Sequence, residues 1–368
     1  MIEMEDAGKL GFGLMRLPRR GLSIDIPQTS EMVDHFLEAG FNYFDTAHVY
    51  PGSEEATRKA LVERHPRESF TLATKLFAVT ALSKKSAEQQ LFTSLQRMGT
   101  EYIDYYLLHT LMKSNYQKYE RFKLWDFVNE QKKEGRIRHV GFSFHDGPEL
   151  LEQILKDHPE AEFVQLQINY ADWENPGVAS RRNWESCKAH GKPVMIMEPV
   201  KGGILADPIP GVRAVFDAAG ADVSYASWAL RFAAGLENVH AVLSGMSSLA
   251  QMEDNLKTMK NFRPLNEEEM QLIHRAQQAL DADKSIPCTA CHYCTKGCPM
   301  EIPIPEIFNV INRRKGSPEF RTVREYTIVT TDRGTAGSCV ACGQCEGACP
   351  QHLPVISLLR QCAAELEK

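Results

Sequence analysis

FNYFDTAHVYPGSEE, Phe41 to Glu55, passes from an aromatic apolar run to an acidic residue, through a Pro-Gly turn, and into the start of a helical pattern. Such a unit belongs to a parallel sheet, where each strand is buried on both faces and a helix carries the chain back. The unit recurs on either side. Strands are expected around Leu10–Gly13, Tyr43–Asp45, Thr71–Thr74, Tyr105–Leu108, His139–Ser143, Phe163–Leu166, Val194–Met197 and Ala241–Ser244. Helices are expected near Thr29–Ala39, Ser53–Arg64, Lys85–Met98, Tyr119–Lys133, Pro148–Lys156, Arg181–His190, Val223–Ala234 and Leu249–Met259. Eight alternating pairs imply an α/β chain closed as a (β/α)8 barrel of TIM type. A doubly wound open sheet would place G-x-G-x-x-G after the first strand, and Gly11-Phe12-Gly13 is too short for that.

A further helix near Asn266–Ala282 leads to Ile286-Pro287, where the helical pattern stops. This divides the chain into a barrel, residues 1–284, and a small domain, residues 285–368, with a helix expected at Pro305–Arg314. The 368 residues are 43% hydrophobic and 24% charged, ordinary for a core-forming protein. A net charge of -6 gives no reason to expect a nucleic-acid or anionic-membrane partner. Basic residues are scattered apart from Arg313-Arg314-Lys315, which reads as a solvated helix end. MIEMEDAGKL lacks a basic-then-apolar leader, and no apolar run approaches the roughly 20 residues that span a bilayer, so a cytoplasmic location is expected. Eight of the ten cysteines fall in two identically spaced runs, unlike a secreted disulfide scaffold; Cys187 and Cys362 read as buried thiols.

Reacting groups of such a barrel sit at the C-terminal ends of its strands. Asp45, Lys75 and His109 each close a strand, and Tyr50 lies on the loop just past Asp45. Each alone could be a capping, solvated or structural residue. Together they make a proton donor for a carbonyl oxygen: an ammonium beside a phenol favours phenolate and makes Tyr50 a usable acid. Asp45 would hold Lys75 charged, and His109 would hydrogen-bond the same oxygen as charge develops there.

FDTAHVYPGSEEA, TK, LLH, GFSFHD, QLQINY, MEPVKGGIL and SGMSSLAQMEDN occur in this order between about Leu10 and Met259, and they resemble the successive blocks of the aldo/keto reductase family. The resemblance implies an NADP or NAD cofactor, a small carbonyl or alcohol substrate, and the tetrad Asp45, Tyr50, Lys75, His109 with Tyr50 as acid/base. It implies that Ser143 and Gln165 hold the nicotinamide carboxamide, with Gly13, Met15, His145 and Met197 also at the cofactor. Glu198, Pro199, Val200, Lys201 and Gly203 would lie along the diphosphate. Ser244, Gly245, Met246, Ser247 and Gln251 would follow the nucleotide to Asn255 at the adenine. Two departures stand out: Met197 replaces a commonly aromatic residue, and Gly245–Asn255 contains no Lys or Arg to grip a 2′-phosphate. In GFSFHD, Phe144 and His145 replace the usual Asn after Ser143; His145 either faces the cofactor or substrate, or is a loop histidine bonded to backbone.

CTACHYCTKGCP and CVACGQCEGACP share C-x2-C-x2-C-x3-C-P, a spacing suited to 4Fe–4S clusters. Where two clusters share a fold, the fourth cysteine of each run ligates the other cluster. Cys288, Cys291, Cys294 and Cys349 would then hold one, and Cys339, Cys342, Cys345 and Cys298 the other. Zinc is the competing metal, but its sites close with four ligands and do not call for two runs of four. The separation of about 40 residues resembles that of α-helical ferredoxin domains. Nicotinamide moves electron pairs and each cluster moves one, so direct exchange needs an intermediary such as flavin. Three readings follow: an NAD(P)-linked carbonyl reductase carrying clusters, possessing or lacking a redox protein partner; a flavin (FMN) enzyme passing electrons to the clusters; or a non-catalytic electron-transfer protein, against which the complete tetrad argues.

Overall fold

The computed structural model describes residues 8–220, 223–283, 285–314 and 319–367; most of the leading segment, Lys284 beside the expected domain boundary, and Lys315 of the basic cluster lie outside them. Two compact units emerge, one built from residues up to Lys201 together with Leu205–Gln277, the other from Gln278–Lys368 together with Gly202–Ile204.

In the first unit all eight expected strands form, several longer than the sequence pattern implies. They are β1 (Leu10–Gly13), β4 (Tyr43–Asp45), β5 (Thr71–Leu76), β6 (Ile103–Leu111), β7 (Ile137–Phe144), β8 (Phe163–Gln167), β9 (Val194–Met197) and β10 (Val239–Ser244), while β2 (Arg19–Arg20) and β3 (Ser23–Ile24) make a separate two-stranded hairpin. Each barrel strand pairs in parallel with its neighbours, and β10 returns to β1 to close the ring. Tyr43, Ala73, Tyr105, Leu107, Phe163, Met195, Ala241 and Leu243 pack together as one buried cluster. Closure leaves no free sheet edge, and it brings the ends of all eight strands to one rim.

The expected helix at Ser53–Arg64 is an α-helical turn, Ser53–Thr57, continuing as a π-helical turn, Arg58–Val62. The one expected at Tyr119–Lys133 is two helices, Tyr116–Arg121 and Leu124–Lys133, broken at Lys123 with φ of 52°. A helix at Pro210–Asp217 and the β2–β3 hairpin have no counterpart in the sequence reading: strands of two residues are too short to show a period. Among the described residues, no helix is long and apolar enough to cross a membrane.

The second unit is helical, with segments at Ile304–Arg313, Glu319–Thr330, Gln344–Gly347 and Val355–Leu366 around a core that includes Ile302, Ile307, Phe308, Val310 and Leu359. Its two halves repeat one backbone path. Ala290, His292 and Glu301 in the first half, and Ala341, Gly343 and His352 at the matching positions of the second, all have positive φ. Four residues past the proline that closes each cysteine run, a second proline caps a helix, Pro303 with φ −77° and ψ 67°, Pro354 with φ −76° and ψ 69°. Asn312 clamps the entry by bonding both the N–H and the carbonyl of Ile286, each at 2.8 Å.

Gly141 in β7 tests the barrel's closure. A Cβ there would lie 2.5 Å from the Phe163 carbonyl oxygen and 2.7 Å from its ring. Gly141→Ala is expected to lower unfolding free energy by about 1–3 kcal/mol or more, because backbone must shift to make room. Urea melts measure this, and an unchanged midpoint would contradict the β7–β8 register.

Candidate active site and cysteine pockets

β4, β5 and β6 deliver three of the four tetrad residues to the rim. Lys75 is fully buried, and its Nζ donates to Asp45 Oδ1 at 2.6 Å and to the Thr46 carbonyl at 2.7 Å. The other oxygen of Asp45 accepts from Gln165 Nε2 at 3.2 Å. Beyond β4 the chain folds back so that Tyr50 stands over this pair, its ring centre 5.2 Å from Lys75 Nζ. Thr46 and Ser53 hydroxyls bond at 2.7 Å, and Ser53 Oγ donates to the Leu14 carbonyl at 2.9 Å, which pins the loop carrying Tyr50.

His109 is placed by a distortion. The β6–β7 register slips between Leu108 and Leu111, and Thr110 takes φ of 59°, a bulge that re-aims the residue before it. Ser143 Oγ accepts the Thr110 N–H at 2.7 Å, and the Tyr119 hydroxyl bonds the His109 carbonyl while accepting Ala78 N–H at 3.2 Å. The imidazole stands edge-on to both Tyr50 and Phe77, with ring centres 5.9 and 5.5 Å away. Its buried Nδ1 has no hydrogen-bond partner among the described residues. Burial, then the charges of Lys75 and His145, hold His109 well below the usual histidine pKa, so the ring is neutral. Burial also lowers Lys75, while Asp45 and Glu54 oppose that shift.

The remaining candidates divide. His145 lies near enough to His109 for its charge to act there, and its N–H bonds the Leu111 carbonyl at 3.1 Å. Gly13 and Gly245 meet where β1 and β10 end: a Cβ on Gly245 would be 3.8 Å from the Gly13 oxygen. Met15, Met197, Glu198, Val200 and Gly203 are partly exposed, whereas Pro199 and Met246 are buried. Lys201 is buried too and pairs with Asp172, whose second oxygen accepts from Gln167 at 3.0 Å and Asn169 at 2.9 Å. Its ammonium is therefore committed inside the protein. Asn255 donates to Ser244 Oγ at 2.7 Å and is likewise buried, so the residue expected at the adenine braces β10. Gln251 Oε1 accepts the Ser247 N–H at 2.7 Å.

Sequence reasoning missed Glu54, Tyr119 and Asp172. Glu54, buried, accepts from Thr74 at 2.9 Å and Arg97 at 3.1 Å and so ties the Tyr50 loop to β5. An acidic residue straight after the Pro-Gly-Ser turn was its signal. Tyr119 and Asp172 act from segments distant in sequence and carried none.

In the second unit, one pocket is lined by Cys288, Cys291, Cys294 and Cys349, and another by Cys298, Cys339, Cys342 and Cys345. Each takes three cysteines from one run and the fourth from the other. Burial pushes the Cys294 and Cys349 thiols up and Cys345 to about 11, so thiolates here call for bound cationic charge. Among the described residues no group of three or more His, Cys, Asp or Glu closes to the spacing of a single metal ion. Cys187 and Cys362 are buried thiols.

The aldo/keto reductase family model matches residues 9–278. The chain belongs to that family. A model for a 4Fe-4S dicluster domain matches residues 287–353. An aldo-keto reductase of Mycolicibacterium smegmatis is 31% identical over 147 residues, 38% of this chain and half of that protein's length. An uncharacterised oxidoreductase of Schizosaccharomyces pombe is 28% identical over 271 residues, 68% of this chain and 80% of its own. The barrel of a Klebsiella pneumoniae aldo-keto reductase, solved in complex with NADPH, superimposes with a TM-score of 0.59 at 21% identity, covering 74% of this chain and 95% of that one. This aldo/keto reductase is thus an oxidoreductase with a ferredoxin-type segment after its barrel.

The neutral His109 has a consequence for stability. Below about pH 6.5 a histidine charges in the unfolded chain while His109 stays neutral in the fold, so the unfolded state binds more protons. Stability is full above that pH and falls as pH drops toward the depressed native value. His109→Asn is expected to make this fall shallower in urea melts between about pH 5 and 7. An unchanged slope would show that the imidazole is not held neutral.

Proposed function

We propose that the barrel is an NAD(P)H-linked reductase of a small carbonyl compound, or in the reverse direction oxidises an alcohol with NAD(P)+, with Tyr50 as acid/base. Residues 285–368, in this reading, are a ferredoxin-like domain holding two 4Fe–4S clusters, one on Cys288, Cys291, Cys294 and Cys349, the other on Cys298, Cys339, Cys342 and Cys345. The observation that carries the first part is Lys75, buried, fixed by Asp45 and facing the Tyr50 ring at 5.2 Å.

The residues suit a nicotinamide: His109 leaves a buried ring nitrogen unpaired, and Gly13 and Gly245 keep side chains off the rim where β1 and β10 end. The Klebsiella enzyme's NADPH supports the same choice. When bound, the nicotinamide supplies two electrons as hydride to the carbonyl carbon, and the clusters supply electrons singly. Tyr50 gives its hydroxyl proton to the carbonyl oxygen, and in the reverse direction takes one from the alcohol. Two of the three Lys75 donors are held by Asp45 and Thr46, so its charge stays in place to favour the phenolate that remains. Neutral His109 donates a hydrogen bond to the same oxygen and orients it. Tyr50 is only partly buried, so its proton returns from solvent. The cysteine sets fit clusters because the fold itself assembles them three and one.

A second reading, FMN in the barrel and a redox protein partner at the clusters, draws on Met197 and on the lack of basic residues in Gly245–Asn255. Protein purified without oxygen decides between them: flavin bands in the released cofactor favour the second. Under the first, Tyr50→Phe lowers kcat about 10²- to 10⁴-fold, with iron content and NADPH affinity unchanged. Full activity in that variant would refute Tyr50 as the acid. Iron is expected at about eight per chain, falling to about four in Cys349→Ser. Zinc in its place would overturn the cluster assignment.

A further inference from the structure

The two cysteine runs follow one backbone path twice, so the residues at matching positions around the two pockets can be compared directly. The second residue of each run is Thr289 in the first and Val340 in the second, and two places past the closing cysteines stand Met300 and Gln351. Because the fourth cysteine crosses over, Thr289 and Gln351 line the pocket of Cys288, Cys291, Cys294 and Cys349. Val340 and Met300 line that of Cys298, Cys339, Cys342 and Cys345. Matching positions thus carry polar side chains at one pocket and apolar ones at the other.

Their exposure runs against that polarity. Thr289 and Gln351 are buried, 3% and 8% exposed, while Val340 and Met300 are 59% and 38% exposed. Gly202, which belongs to this same unit, comes up against Thr289: a Cβ there would lie 2.7 Å from the Thr289 carbonyl oxygen. Of the described residues lining the first pocket His292 alone is exposed; at the second, Pro299, Met300, Val340, Ala341 and Cys342 all are. Cys342 is the one exposed cysteine among the described residues, and its counterpart Cys291 is half-buried. Apolar side chains exposed singly need no explanation, but here four share one pocket with an exposed ligand position.

We infer that the cluster on Cys298, Cys339, Cys342 and Cys345 is the outer one, the port at which single electrons enter or leave the protein, while the cluster on the other four cysteines is screened from one-electron reagents. The inference rests on the two-cluster reading above and gives the two clusters different tasks. Electron exchange weakens steeply with distance, and Cys342 brings its cluster to the surface. The uncharged rim of Pro299, Met300, Val340 and Ala341 lets a one-electron carrier come close without stripping water from a charge.

Ferricyanide and iodoacetamide test this on the oxygen-free, cluster-loaded protein. The outer cluster gives one electron to ferricyanide, which becomes ferrocyanide, and then releases one ferrous ion as the bond from Cys342 Sγ to iron breaks. Iodoacetamide forms an S–C bond to the freed thiolate, and iodide leaves. About one iron in eight is expected to be lost, with the new label found on Cys342 by peptide mass spectrometry. A label on Cys291 or elsewhere in the first set, one divided evenly between the sets, or none beyond that of untreated protein would overturn the inference. Reduced methyl viologen, a donor of one electron, gives a second measurement by stopped flow. Cys349→Ser, which keeps the outer cluster, is expected to be reduced at close to the wild-type rate, and Cys345→Ser, which keeps the inner one, several-fold more slowly. Equal rates in the two variants would contradict it. Iron near about eight per chain with the label in the first set sinks this inference alone, whereas protein holding zinc or no iron sinks the two-cluster reading with it.

Discussion

A lysine ammonium sealed inside the rim of the barrel is the constraint on which the site depends. Removing such a charge from water is costly, and only well-placed partners make it tolerable. Lys75 has two, Asp45 and the Thr46 carbonyl, both on or just after β4, while the lysine itself is on β5. The pair can form only if β4 and β5 are in register, and it then fixes where Tyr50, four residues past Thr46, can stand. Further ties keep that loop from drifting: Ser53 to Leu14, and Glu54 to Thr74 and Arg97. A charge that would destabilise the core by itself becomes the element that orders the rim.

The second unit poses the same problem with opposite sign. Its two pockets gather eight cysteines beside Ile304, Phe308, Ile302 and Leu359, and burial disfavours thiolate at Cys294, Cys345 and Cys349. In the proposed reading bound clusters are the remedy there, as carboxylate is in the barrel. A domain of this size has a thin apolar core, so ligands drawn three and one from the two runs would also join its halves into one folding unit. Positive φ recurs at matching positions of the two halves, and of the six residues there only Gly343 is of the type that such backbone favours.

The strands of the barrel were legible because parallel strands buried on both faces are apolar throughout, which sets them off from amphipathic helices. Asp45, Lys75 and His109 were legible because a polar residue closing such a strand is conspicuous. What the pattern hid was local departure and distant support. Lys123 breaks one expected helix in a left-handed conformation that its sequence does not announce. The β6 bulge that aims His109 depends on a register slip between strands, invisible in one strand alone. Asn255 and Lys201, expected at the cofactor from their place in a motif, also bond Ser244 and Asp172, partners that only the folded chain reveals.

The most direct measurement is an oxygen-free crystal structure of the protein with NADPH and a carbonyl inhibitor bound. The account predicts Tyr50 Oη and a ring nitrogen of His109 within hydrogen-bond distance of a single inhibitor oxygen, with Lys75 still bonded to Asp45. A Tyr50 turned away from that oxygen, or a Lys75 parted from Asp45, would contradict it.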